Sequence, residues 1–122
     1  MARILVIDDD DLIREMLGQI LGDAGHEVVP ASNGEMGVDL FRRQPADLII
    51  TDIIMPEKDG WEAIVELRRD FPEVKIIAMS GGGKMGPYSY LMMAKRFGAE
   101  RVFPKPLKKS ELLEAINELT DE

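Results

Sequence analysis

The sequence predicts a doubly wound α/β domain on a five-stranded parallel sheet, a (βα)5 chain. Short apolar runs of strand length recur five times, each followed by a segment with apolar residues at helical spacing. The best of these runs are apolar throughout rather than alternating, as strands covered on both faces must be. The connections are short and carry Gly, Pro and Asn, with no linker, low-complexity tract or tandem repeat. Strand–helix alternation with right-handed crossovers puts helices on both faces of a parallel sheet. The expected strand order is 2-1-3-4-5, with the switch point between the first and third strands.

Arg3 to Ile7 (RILVI) is the first strand and runs straight into Asp8, Asp9, Asp10 and Asp11. Leu12, Ile13, Met16, Leu17, Ile20, Leu21 and Ala24 then share one helical face. Asp10 or Asp11 suits the N-cap, where negative charge favours the helix dipole, and Gly25 suits the stop. His26 to Ala31 is a second, weaker strand, and His26 itself reads as a solvated loop residue. Asn33–Gly34 opens a helix carrying Met36, Gly37, Leu40 and Phe41, which Pro45 closes. Leu48, Ile49 and Ile50 form the third strand, ending in Thr51 and Asp52. Beyond Met55–Pro56 and the Asp59–Gly60 turn, a helix from about Trp61 to Phe71 turns Ile64, Val65, Leu67 and Phe71 inward. Val74 to Met79 (VKIIAM) is the fourth strand, stopping at Ser80. A glycine-rich loop from Gly81 to Pro87 leads into a helix with Tyr88, Leu91, Ala94 and Phe97. Arg101 to Phe103 is the fifth strand, ahead of Pro104–Lys105–Pro106, and Ser110 caps a last helix with Leu112, Leu113, Ile116 and Leu119.

With 122 residues, 45% hydrophobic and 31% charged, the chain suits one domain over residues 1–122 with a single core. No apolar run approaches the roughly 20 residues that span a bilayer, and four aspartates in MARILVIDDDD rule out a signal-peptide pattern. The absence of cysteine excludes disulfides, thiolate metal sites and thiol catalysis, and agrees with a cytoplasmic setting. A net charge of −8, from 23 acidic and 15 basic residues, argues against binding nucleic acid or anionic membrane. It leaves room for a metal cation or a cationic protein surface.

In an open α/β sheet, sites form at the carboxyl edge beside the switch point. Asp8, Asp9 and Asp52 end the two strands that flank it. Three carboxylates together repel unless a proton or cation neutralises them. Oxygen ligands alone fit a hard cation such as Mg²⁺. The fourth strand brings the Ser80 hydroxyl to the same edge, and the fifth brings the Lys105 ammonium, suited to a phosphate oxygen. A carboxylate nucleophile, a metal site, a hydroxyl and a cation are the parts of phosphoryl transfer to an aspartate.

On these residues the chain resembles the response-regulator receiver domains of two-component signalling, over essentially its whole length. The resemblance rests on Asp8–Asp9 after strand one, Asp52 in DIIMPEKDG, Ser80 after strand four and Lys105 in PKPL. It implies a flavodoxin-like fold shared with chemotaxis regulators, and a Mg²⁺-dependent phosphoacceptor, Asp52. The metal would be held by Asp9, Asp52 and the backbone carbonyl of Ile54, with Asp8 acting through water. Ser80 and Lys105 would contact the phosphoryl group, and the Lys105–Pro106 bond is expected to be cis. The phosphodonor would be a sensor histidine kinase or phosphotransfer protein, and the output a protein contact made by a monomer or a phosphorylation-promoted dimer. The domain is expected to be no enzyme beyond its own phosphorylation and dephosphorylation. It is also expected to stand alone, unless an effector domain lies outside this sequence.

Two departures stand out. Many receivers carry Tyr or Phe three residues before the lysine, where this chain has Val102, with Phe103 one place later. The loop after Ser80 is also longer than usual. Competing readings fare worse on the residues. A carboxylate-nucleophile phosphatase needs an acid at position 54, which is Ile54. A flavin-phosphate binder would bring an anion to an acidic loop. Gly81, Gly83 and Gly86 spell a dinucleotide fingerprint, but after the fourth strand and without the acid that should follow. A degenerate receiver, acting as a phosphorylation-independent interaction module, ranks lower because all five site residues are present.

Overall fold

The computed structural model of the protein describes residues 1–53, 60–80, 92, 95–96 and 98–120. In chain order the elements are β1 (Arg3–Ile7), α1 (Asp11–Asp23), β2 (Glu27–Ala31), α2 (Gly34–Arg43), β3 (Leu48–Asp52), α3 (Gly60–Asp70), β4 (Lys75–Ser80), β5 (Arg101–Pro104) and α4 (Lys109–Thr120). The five strands are parallel, in the order β2-β1-β3-β4-β5. Tyr88, Leu91, Ala94 and Phe97, the apolar face expected of one further helix, lie outside the described residues, as does the glycine loop before them.

Successive side chains of a strand point to opposite faces, which divides each apolar run between two cores. Leu5, Ile7, Ile49 and Ile76 pack with Val38 and Phe41 of α2 and Ile64 and Leu67 of α3. Ile4, Val6, Leu48, Ile50 and Ile77 pack with Leu17 and Leu21 of α1 and Leu112 and Ile116 of α4. Gly37 allows α2 its close approach to β1. A Cβ there would lie 2.3 Å from Cδ1 and 2.7 Å from Cγ1 of Ile7.

The caps follow the polar punctuation. Asp10 is the α1 N-cap, its carboxylate accepting from Leu12 N–H, and Asn33 caps α2 by accepting from Met36 N–H. Gly25 follows the end of α1 at φ +92°, a conformation that glycine adopts without strain.

Several expectations of burial fail for one geometric reason. At 3.6 residues per turn Leu12 stands roughly 140° around α1 from Leu17, and it is 74% exposed. Met16 on the same side is also exposed. Val65 follows Ile64 by about 100° on α3 and faces solvent, as does Met36 on α2. Ser110 lies inside the first turn of α4 rather than before it. His26 is no solvated residue either: it is 9% exposed, and its Nδ1 accepts from the Ala2 N–H at 3.0 Å. The chain entering β2 runs beside the chain entering β1, where Glu27 N–H also donates to Ala2 O at 2.9 Å, so a polar ring is needed there.

Candidate functional site

β1 and β3 are neighbours in register from Ile4↔Leu48 to Ile7↔Thr51, so the residues ending each strand emerge side by side. One carboxylate oxygen from each of Asp8, Asp9 and Asp52 falls within 4.8 Å of the others. Asp8 and Asp52 are buried, and Asp9 is exposed. The four consecutive aspartates therefore divide: Asp8 and Asp9 face the site, Asp10 caps α1, and Asp11 pairs with Arg14 on the helix surface.

Every polar group of Asp8 is held. Its N–H donates to Ala31 O at the end of β2 (3.1 Å), and its Oδ1 accepts from Asp10 N–H (2.9 Å). Its Oδ2 accepts from Lys105 Nζ (2.9 Å), and its carbonyl accepts from Arg14 Nη1 (2.7 Å). Asp52 stands opposite Met79 in the sheet, and the next residue, Ile53, donates its N–H to Met79 O at 3.1 Å. The Thr51 hydroxyl donates to the Asp52 carbonyl (2.9 Å), and Asp52 Oδ2 accepts from Lys105 Nζ (3.1 Å). No sequence motif marks Arg14 or Thr51 as a site residue. Arg14 sits three residues beyond Asp11, a spacing that announces only a surface ion pair.

Lys105 reaches the carboxylates from the exit of β5. Its own N–H donates to Ser80 O at 2.9 Å, and the Lys105–Pro106 bond is cis, as expected. Burial works to lower the lysine pKa, but Asp8 and Asp52, by hydrogen bond and charge, outweigh it and raise it. The ammonium is thus firmly charged between two buried carboxylates. Ser80 ends β4 one residue past Met79 and is wholly buried. Ile54, whose carbonyl was expected to be a ligand, lies outside the described residues.

The donor set fits a small hard cation. Ligand oxygens at opposite corners of a Mg²⁺ octahedron are about 4.2 Å apart, twice the Mg–O distance. Neighbouring corners are about 3 Å apart, so the three carboxylates, whose oxygens gather within 4.8 Å of one another, would close inward on the ion or reach it through water.

A family model described as the response regulator receiver domain matches residues 4–117. The chain belongs to this family. The receiver domain is 35% identical to the chemotaxis protein CheY of Thermotoga maritima over 119 residues, covering 97% of each chain. It is 38% identical to CheY of Bacillus subtilis over 116 residues, covering 94% of each. A crystal structure of a response regulator receiver domain protein from Clostridium thermocellum superposes with a TM-score of 0.90 at 30% identity, covering 99% of this chain and 95% of that one. Among the described residues, no helix of the receiver is long and apolar enough to cross a membrane.

The unusual β5 positions now have a place. Val102 packs against the α2–α3 core and Phe103 against the α1–α4 core, on opposite faces of the sheet. Phe103 therefore does not substitute for an aromatic at 102.

Proposed function

We propose that this receiver domain, residues 1–122, is a phosphoacceptor switch in the cytoplasm whose acceptor is Asp52. The supporting observation is the setting of Asp52: 6% exposed, beside Asp8 and Asp9, with one oxygen on the Lys105 ammonium. In transfer from a phosphohistidine of a sensor kinase or phosphotransfer protein, a carboxylate oxygen of Asp52 attacks phosphorus. The P–N bond breaks, and its electron pair stays on the donor imidazole. Asp9 and Asp52, the carbonyl of Ile54 and, through water, Asp8 would hold Mg²⁺. When bound, the ion would neutralise charge on the phosphoryl oxygens.

Lys105 already stands at the acceptor. Its ammonium would exchange its bond to Asp52 for one to the phosphoryl oxygen that replaces it. Because Lys105 N–H is bonded to Ser80 O, the ends of β4 and β5 would feel that exchange together. The buried Ser80 hydroxyl would turn toward the same oxygens. Phosphorylation adds roughly −1.5 to −2 charge, biasing a pre-existing equilibrium on the face around β5 and α4 that a partner protein reads.

Incubation with acetyl phosphate, with and without Mg²⁺, followed by intact mass tests this reading. The wild type gains one phosphoryl group only with Mg²⁺, and Asp52→Asn gains none. No gain by the wild type would sink the acceptor reading, and an equal gain by Asp52→Asn would move the site elsewhere.

A further inference from the structure

Asp9 differs from its neighbours in one respect. Asp8 is fixed at every polar group, and Asp52 is held by Lys105, whereas the Asp9 carboxylate makes no hydrogen bond or ion pair among the described residues. It is also the exposed member of the three. Among the described residues no partner orients it, so its Cα–Cβ direction follows the backbone, and the peptide unit that carries the Asp9 N–H carries the Asp8 carbonyl in the same rigid plane. Arg14 grips that plane. Its Nη1 donates to Asp8 O at 2.7 Å, a charge-assisted bond, and its Nη2 pairs with Asp11.

We infer that Arg14 is a positioning residue: by pinning the peptide unit between Asp8 and Asp9, it aims the Asp9 carboxylate at the divalent-cation site. The inference rests on reading Asp8, Asp9 and Asp52 as that site. Arg14 touches neither the cation nor a phosphoryl group in this reading and acts only through the main chain. Its ion pair with Asp11 is a different matter. Asp11 is exposed, and such a surface pair contributes little.

Charge and geometry make opposite predictions. Removing a cation from beside an acidic cluster should tighten Mg²⁺ binding if Coulomb attraction alone counts. Losing the grip on the peptide should weaken it, by about tenfold or more, as when the partners that orient metal ligands are removed. Isothermal titration of the metal-free protein with MgCl₂ separates the two. Arg14→Met should bind at least about tenfold more weakly, Arg14→Lys, which keeps one donor for the carbonyl, should recover most of the loss, and Asp11→Asn should stay near wild type. Unchanged or tighter binding by Arg14→Met overturns the inference, as does a loss in Asp11→Asn equal to that in Arg14→Met. Should Arg14→Met fail to fold, Arg14→Lys and Arg14→Gln carry the test, the lysine variant binding more tightly than the glutamine variant; the reverse order refutes it. A wild type that binds no Mg²⁺ at millimolar concentration removes the site itself, an outcome distinct from a failure of Arg14.

Discussion

Lys105 donates to Asp52 across 3.1 Å and joins the exits of β5 and β3 at the carboxyl edge. The same ammonium reaches Asp8 at 2.9 Å, so one cation balances two buried carboxylates. Removing it should take the ammonium from both. Lys105→Met should lower metal-free stability by about 2 kcal/mol, the scale of a hydrogen bond to a charged group. The lysine pKa is raised in the folded state, so this contribution is complete below its ordinary value of 10.5 and fades only as pH climbs through the raised one. Urea unfolding should therefore show a wild-type–variant gap that is constant between about pH 7 and about pH 9. A gap that closes within that window contradicts the assignment.

Mg²⁺ and Lys105 would compete to neutralise the same oxygens. Free Mg²⁺ at tenfold excess over its Kd should stabilise the wild type by about 1.4 kcal/mol. The thermal shift should be larger in Lys105→Met, whose carboxylates lack their cation, and smaller in Asp9→Asn. Equal shifts in the three proteins would mean that the ion stabilises the fold from somewhere else.

Much of this site is legible because a buried strand must stop where the chain turns polar. RILVI stops at Asp8, LIIT at Asp52 and KIIAM at Ser80, and strand order then brings the three ends together. Arg14 was not legible. Its contact with Asp8 comes from a side chain folding back to a carbonyl six residues earlier, and no periodicity records that. Leu12 and Met16 are exposed for a related reason. Apolar residues at helical spacing mark a face, but only the packed sheet decides which part of the face is covered. Val102 and Phe103 show the limit of one-place shifts in a strand, since adjacent residues serve different cores.

His26 is a second residue whose surroundings reverse its sequence reading. Its Nδ1 accepts the Ala2 N–H at a buried point between the entries to β1 and β2. His26→Phe keeps a ring but leaves that donor without its acceptor, and should cost about 1–3 kcal/mol. His26→Asn offers an amide oxygen in place of Nδ1 and should recover part of the loss. Phosphorylation by acetyl phosphate should be unaffected in both, because the site lies at the opposite end of the strands. Chemical denaturation of the pair decides it, and a neutral His26→Phe would deny the hydrogen bond its weight.

Gly37 and Gly18 are both helical glycines, and propensity alone predicts the same gain from alanine at each, about 1 kcal/mol. Their surroundings set them apart. Among the described residues nothing lies within 4 Å of a Cβ built on Gly18 in α1, so Gly18→Ala should realise most of that gain. A Cβ on Gly37 would meet Ile7 at 2.3 and 2.7 Å, and Ile7 is wholly buried in the core beneath α2. One of those contacts is to Cγ1, so rotating the end of the side chain is no escape, and α2 must lift from β1. Overpacking of this kind costs about 1–3 kcal/mol, which exceeds the propensity gain. Gly37→Ala should therefore melt below the wild type and Gly18→Ala above it. β1 ends at the aspartates, so the strain should also reach the site: Mg²⁺ should bind Gly37→Ala more weakly while leaving Gly18→Ala unchanged. Equal melting temperatures for the two variants would show that α2 can move off β1 at no cost.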